Sequence, residues 1–448
     1  MKRIFFFIAI MTMLLSCEDN DRFSTASGLR LTLPADTLEM DTVFSRTPSS
    51  TYTFWVFNHN NDGIRLSNVR LARRNQTGYR VNVDGLYLDN SNGSQVNDLE
   101  IRRKDSLLVF VELTAADTWQ LEPQLVEDYL VFTLESGAEQ RILLRAWAWD
   151  AERIGSLTVR SDTVIESEHP LIVMDSLNVA EGVTLTLRNT TLYFHDQAGM
   201  AVAGTLLAEN CTLRGDRLDH MFDYLPYDRV SGQWGGVRFL QSSVDNELTD
   251  TEIRNATEAI VCDSGAIDLE RPRLSMRNCV VHNAKGRGIE TVNTYLILDH
   301  CQLSNTLGHC LAIHGGLAEI AYCTLAQFYP FSADRGAALY FSNSWMGYGI
   351  PLTLTCEHTI VTGYADDVVE GVAAADESVP FSYVFSNSLL RTPKVEDESL
   401  AESFVDIIWE TPKDTIQGKK HFITVDEDNL IYDFHLDSLS TAKGLGCY

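Results

Sequence analysis

Three residues of different chemical type fall at one phase of a repeating phrase. Aligning the chain on Ile260, Ile289, Leu311 and Leu339 places Glu258, Arg287, His309 and Ala337 at one equivalent turn position. A carboxylate, a guanidinium and an imidazole stacked in a column, with Lys285 and Glu290 close by, supply proton donors, proton acceptors and a fixed positive charge. That is a general acid and base cluster, so Glu258, Arg287 and His309 are the candidate catalytic residues. The competing expectation is solvated turn residues, because turns collect charge and no compact aspartate cluster accompanies Arg287.

A second group lies between Cys211 and Thr251, where the repeat is interrupted by about 18 extra residues. The insertion opens with Arg214-Gly215-Asp216-Arg217-Leu218-Asp219 and closes with Gly232-Gln233-Trp234-Gly235-Gly236. Insertions in a repeat map to loops on one face, and this one is dense in polar and aromatic groups suited to a sugar or a metal ion. Its candidate ligand-binding residues are Asp216, Arg217, Asp219, Asp223, Tyr224 and Trp234. In the structural alternative, Arg217 pairs with Asp219 or Asp223, Trp234 covers an open core edge, and the glycines permit close backbone approach. Aromatics near Tyr329 to Arg335 and in the Ser344 to Gly349 loop are expected to be exposed on the same part of the coil. No metal site is expected: His282, His300, His314 and His358 are scattered without ligand spacing, and no paired CxxC occurs.

The elements that must position these groups are set by a period of 22 residues. Asn278-Cys279-Val280-Val281, His300-Cys301-Gln302-Leu303 and Tyr322-Cys323-Thr324-Leu325 repeat at that spacing, each preceded by an alternating apolar pair. Thr190, Cys211, Thr251, His358 and Ser388 take similar slots, giving eight rungs. A coil of this length holds three short strands and three turns, which is the signature of a parallel β-helix. Successive cysteines then lie about 4.8 Å apart and point the same way, unsuited to disulfide pairing and suited to small buried hydrophobes. Asn255, Asn283, Asn305 and Gln327 fall at another common phase, where side-chain amides can stack along the axis.

On these residues the chain from about Gly155 to Tyr448 resembles the right-handed parallel β-helix repeat proteins, which include pectate lyases, uronate epimerases and noncatalytic surface proteins. The resemblance implies right-handedness. It also implies the alternative function, a polysaccharide lyase, hydrolase or epimerase, in which a basic residue takes the α-proton beside a uronate and acidic residues hold calcium. The Gly-Asp-Arg opening and Gln-Trp-Gly-Gly close of the insertion resemble a segment of lipoprotein members. Leu430 to Leu436, with the polar tail after it, resembles the closing phrase of such helices and is expected to cap the last coil.

Residues 28–149 show another pattern. Seven alternating runs, at Leu29 to Leu33, Tyr52 to Phe57, Ile64 to Leu71, Tyr79 to Val83, Ser106 to Leu113, Tyr129 to Leu134 and Arg141 to Trp147, predict a β-sandwich. With Val56-Phe57-Asn58 followed by Ile64-Arg65-Leu66, the module resembles the immunoglobulin-like domains of the abnormal-spindle and Hydin type. Trp119, Trp147 and Trp149 offer a carbohydrate-stacking platform or, as the more frequent role, core or interdomain packing. The expected organisation is therefore all-β: an immunoglobulin-like β-sandwich over 28–149, then a right-handed parallel β-helix over 150–448 with a C-terminal cap.

Ahead of both, Lys2-Arg3, an apolar run from Ile4 to Leu15 and then Ser16-Cys17 read as an export signal over 1–16. The run is shorter than the roughly 20 residues that span a bilayer. Leu14-Leu15-Ser16-Cys17 resembles the lipobox of bacterial lipoproteins, which implies a lipidated Cys17 as membrane anchor. Glu18-Asp19-Asn20-Asp21, in the linker 17–27, resembles the surface-export tag of Bacteroidetes lipoproteins, with a solvated acidic linker as the alternative. The implied address is the bacterial outer membrane, lipid-anchored and surface-exposed. A formal charge of -27 with no concentrated basic patch excludes nucleic acid as a partner and suits weak calcium binding, with no cofactor demanded. The expected function is a noncatalytic glycan-binding, protein-binding or structural module.

Overall fold

A computed structural model describes residues 22–410 and 418–448. The export signal, Cys17 and the acidic residues after it lie outside the described residues. The chain forms two compact units. One holds the residues up to Asp150 with Leu218–Tyr224, and the other holds Ala151–Arg217 with Leu225–Tyr448.

In the first unit, the described residues up to Asp150 form nine strands: β1 (Thr37–Phe44), β2 (Tyr52–Phe57), β3 (Ile64–Leu71), β4 (Tyr79–Val83), β5 (Leu86–Tyr87), β6 (Gln95–Ile101), β7 (Ser106–Leu113), β8 (Gln124–Leu134) and β9 (Glu139–Trp149). They form two sheets, ordered β1-β9-β8-β3-β6 and β2-β7-β4-β5. All pairings are antiparallel except β1 with β9. Alternation makes the sandwich: on β2, Phe54 and Val56 are buried while Trp55 and Phe57 face out, and Leu66, Val109, Leu130 and Leu144 close the core from other strands. Two expectations need correction. Leu29 to Leu33 makes only a bridge between Thr32 and Phe57 rather than a strand. Strands β1 and β6 carry Glu39, Asp41, Asp98 and Glu100, and as outer strands of their sheet they tolerate this polarity, which hides them from an apolar count. Trp149 stacks on Phe44 at 5.9 Å, but Trp119 is 89% exposed and packs into no core.

The second unit is a parallel β-helix of 26 strands. Each coil contributes to three columns of parallel strands. One runs through Gly236–Phe239, Ile260–Cys262, the first half of Ile289–Asp299, the first half of Leu311–Ala321, and Leu339–Ser342. A second contains Leu274–Arg277 and Leu352–Glu357. The third contains Val280–His282, Gln302–Ser304, Thr324–Gln327 and Ile360–Gly363. Inward Leu, Ile, Val and Phe side chains fill one continuous core. Cys279, Cys301 and Cys323 are buried in it as free thiols; the Cys279 thiol pulls Cys301 down, but the Cys323 thiol and burial prevail and push it well up. Cys262, Cys310 and Cys356 fill other core positions.

The expected rung at His358 is one residue out of register. Thr324 pairs with Ile360, so Thr359 sits opposite Cys323 and His358 opposite Tyr322. A slip of one residue exchanges inside for outside, and His358 accordingly joins His300 and Tyr322 in a stack with ring separations of 4.9 and 4.7 Å. These turn residues share a left-handed backbone with Asn189, Asn210, Asp250, Asn278 and Asn387. The amide ladder forms in part. Asn283 donates to Asn255 at 2.7 Å, whereas Gln327 turns instead to the carbonyls of Gly308 and Gly336.

The C-terminal segment is not a cap over the last coil. Its hairpin, Phe422–Asp426 with Ile431–Leu436, lies on the outer face of the third column, where Phe422, Phe434 and Ala442 cover Ala326, Phe328, Ile360 and Leu389. Those four side chains are apolar and point outward, so the flank of the helix needs covering.

Candidate functional site

The insertion is largely consumed by structure. Trp234 is fully buried, stacks on Phe194 at 4.3 Å and donates its indole N–H to the Arg254 carbonyl at 2.8 Å. It therefore cannot meet a ligand from solvent, and its place in the expected binding set is corrected. Gly236 beside it has φ 98°, and a Cβ there would lie 1.6 Å from the Glu258 carbonyl oxygen, so the Trp-Gly-Gly sequence permits tight coil stacking. Asp216 is buried and its carboxylate meets His195 Nδ1 at 2.8 Å. The buried Asp219 carboxylate accepts from the Ser50 backbone N–H within the first unit. The Arg217 guanidinium lies over the Tyr227 ring at 4.2 Å. Asp223 and Tyr224 remain exposed, with Tyr224 stacked on Phe222 at 5.7 Å.

The turn column is a real cluster. Ile260, Ile289, Leu311 and Leu339 pair in register as expected, so Glu258, Arg287 and His309 stand on successive coils. Glu258 accepts the Arg287 backbone N–H at 2.8 Å and approaches its guanidinium at 3.9 Å. Arg287 Nη1 also donates to Glu290 at 2.9 Å. His309 stands beside them without closing on Glu258. Its Nδ1 accepts the Ala337 N–H at 2.9 Å, and its ring stacks on Tyr340 at 4.8 Å.

The period of two along the strands extends the site onto the sheet. Inward Ile289 makes Glu290 point outward, and the register places Arg238, Val261, Glu290, Ala312 and Tyr340 in one outward row. Val292, His314 and Ser342 form the next. His314 Nε2 lies 3.5 Å from Glu290 Oε1, and the His314 ring sits between Tyr340 at 5.3 Å and Trp345 at 4.3 Å. Trp345 belongs to a short hairpin, Ser344–Trp345 with Tyr348–Gly349, that exposes Met346 and Tyr348 at its tip. Asn343 anchors its base by donating to the Val379 carbonyl and accepting from the Ala374 N–H. Of the expected exposed aromatics, Phe331 and Tyr348 are so placed and Tyr329 is buried.

Glu290 is the pivot. Its side chain is 7% exposed, and Oε1 is buried with no well-formed hydrogen bond, His314 Nε2 standing off at 3.5 Å. Burial raises its carboxyl, but His314, Arg287 and His309 together outweigh that and hold it below the ordinary carboxylate value. His309 is pushed down by burial and by the nearby Arg287 and His314, which favours its neutral imidazole. Arg238 is bound two-pronged by Asp263 at 2.7 and 3.0 Å. His314, Tyr340 and Trp345 have no motif of their own; the strand alternation starting from Ile289 and Leu311 is the signal that finds His314 and Tyr340. Among the described residues, no group of three His, Cys, Asp or Glu side chains is placed to hold a metal ion.

No family model matches the sequence. No curated protein matches it either. Among solved structures, the chain is similar to the catalytic unit of a thermostable GH87 alpha-1,3-glucanase from Streptomyces thermodiastaticus strain HF3-3, at 11% identity and a TM-score of 0.24, over 86% of this chain and 95% of that one. A score that low carries no argument about this chain.

Proposed function

We propose that this protein is an exported lipoprotein, acylated at Cys17 and held at the bacterial outer membrane, whose right-handed β-helix binds glycan without cleaving it. The immunoglobulin-like sandwich serves as its base. The binding site in this reading is the outward face formed by Glu258, Arg287, Glu290, His314, Tyr340 and Trp345. One observation carries the reading: Glu290 Oε1 is buried with His314 Nε2 held off at 3.5 Å and no well-formed hydrogen bond, beside a wall of aromatic rings. A sugar offers both complements, hydroxyl donors for the carboxylate and an aliphatic face for a ring. Cleavage by paired carboxylates requires one acid whose pKa is raised, and Glu290, held low, does not fill that part.

The test is a printed glycan array followed by calorimetry on the mature protein. Glu290→Gln and Trp345→Ala are each expected to weaken binding at least about tenfold, the loss of one charge-assisted hydrogen bond or one stacking contact. Unchanged affinity in both variants overturns the site. Anchoring is tested separately: labelled palmitate should enter the wild type and not Cys17→Ala.

A further inference from the structure

The charges of this face select its ligand class, a step that rests on the glycan-binding reading above. Two guanidinium groups stand on the face, and both are committed: Arg287 to Glu258 and Glu290, Arg238 to Asp263. Glu258, Glu290 and Asp263 therefore meet these two guanidinium groups, and exposed Lys285 at the same turn supplies a third cation. Exposed Glu370 follows Tyr340 in the outward row and adds another negative charge. Burial, Arg287 and His314 favour the neutral form of His309, so the face holds no surplus positive charge.

A uronate or a sulfated sugar needs a cation for its acid group. Taking Arg287, whose side chain is 40% exposed, for that purpose draws charge away from Glu290, a buried carboxylate, and leaving a buried carboxylate short of its partner is unfavourable. The protein as a whole, at -27, adds a repulsive field for polyanions. An uncharged polyol meets neither penalty. Its hydroxyl donates to Glu290 Oε1, other oxygens accept from the Arg287 guanidinium, and the aliphatic face of the ring lies on Trp345 or Tyr348. We infer that the face formed by Glu290, Arg287 and Trp345 takes an uncharged glycan and rejects uronates and sulfated sugars.

The experiment compares neutral oligosaccharides with their uronate and sulfated counterparts, on the array and then by calorimetry at low and high salt. The neutral member of each pair is expected to bind at least tenfold tighter, with the gap shrinking as salt rises. Glu258→Gln removes one repelling charge and loosens one claim on Arg287, so it should narrow the gap at least threefold; its melting temperature serves as the folding control. Uronates binding as tightly as neutral glycans, or a gap unmoved by Glu258→Gln, overturns the inference and leaves the glycan reading standing. Binding of no glycan on the array overturns the glycan reading and the inference with it.

Discussion

Trp234 and Glu290 exchange the roles that residue type alone suggests. A tryptophan in an insertion is an inviting ligand platform, yet this ring fills the core against Phe194, with its N–H satisfied by the Arg254 carbonyl. Glu290 is an ordinary strand carboxylate by sequence, yet it is the buried, half-satisfied group at the centre of the cluster. The difference is burial, which depends on which coil passes overhead and is invisible to residue type. Trp234→Ala is therefore expected to cost about 3–5 kcal/mol of stability, read as a lower denaturation midpoint. Glycan affinity of the folded fraction should stay unchanged, and a loss of affinity there would return Trp234 to the binding set. Of the turn column, Glu258 and Arg287 were legible as a pair because register is fixed by apolar spacing. His314 and Trp345 were not, since they join the site across strands and through a hairpin.

At the scale of the element, the 22-residue spacing carried the architecture because every coil must return its apolar residues to one core. The same spacing failed where a coil changed length. At His358 the apolar residues of Leu352–Glu357 are one position later than the count implied, and the rung belongs to Thr359. A backbone signature marks the true phase better than the cysteines do. Asn278, His300, Tyr322, His358 and Asn387 all have φ between 46° and 51°, a region costing non-glycine residues roughly 1–2 kcal/mol and tolerated best by asparagine. Asn283, at a second such turn with φ 59°, also donates to Asn255. Asn283→Ala should lose both the favourable backbone and the ladder bond, about 2 kcal/mol together. Asn283→Gly keeps the backbone and should lose less. Equal losses in urea unfolding would show that the turn conformation contributes nothing.

For the β-helix taken whole, the unexpected feature is the covered flank. The end of the chain had the composition of a cap, and the outward apolar row of Ala326, Phe328, Ile360 and Leu389 shows why it lies along the side instead. A buried polar group fastens it. Arg391, Glu410 and His421 are all nearly inaccessible; Arg391 Nη1 and His421 Nε2 approach Glu410 Oε1 at 3.6 and 3.5 Å, and Thr362 donates to Glu410 Oε2 at 2.7 Å. His421 also meets Ser440 at 3.1 Å, and the other guanidinium nitrogens of Arg391 reach the Ala365 carbonyl and Asp366. Burial raises the Glu410 carboxyl, but His421, Thr362 and Arg391 prevail and hold it below its ordinary value of 4.5. The sign follows from linkage: a carboxyl depressed in the folded state stabilises above its unfolded pKa, and that contribution is lost as pH falls through the folded one. Acid should thus loosen the C-terminal hairpin, with protection of the Phe422–Leu436 amides in hydrogen exchange falling below pH 4.5 while the coil strands stay protected. Glu410→Gln should lower that protection at neutral pH, by the order of 3–5 kcal/mol if the buried partners are left unpaired, and flatten its dependence on acid. If the variant kept the wild-type acid profile, the fastening would have to lie in the apolar contacts of Phe422 and Phe434 alone.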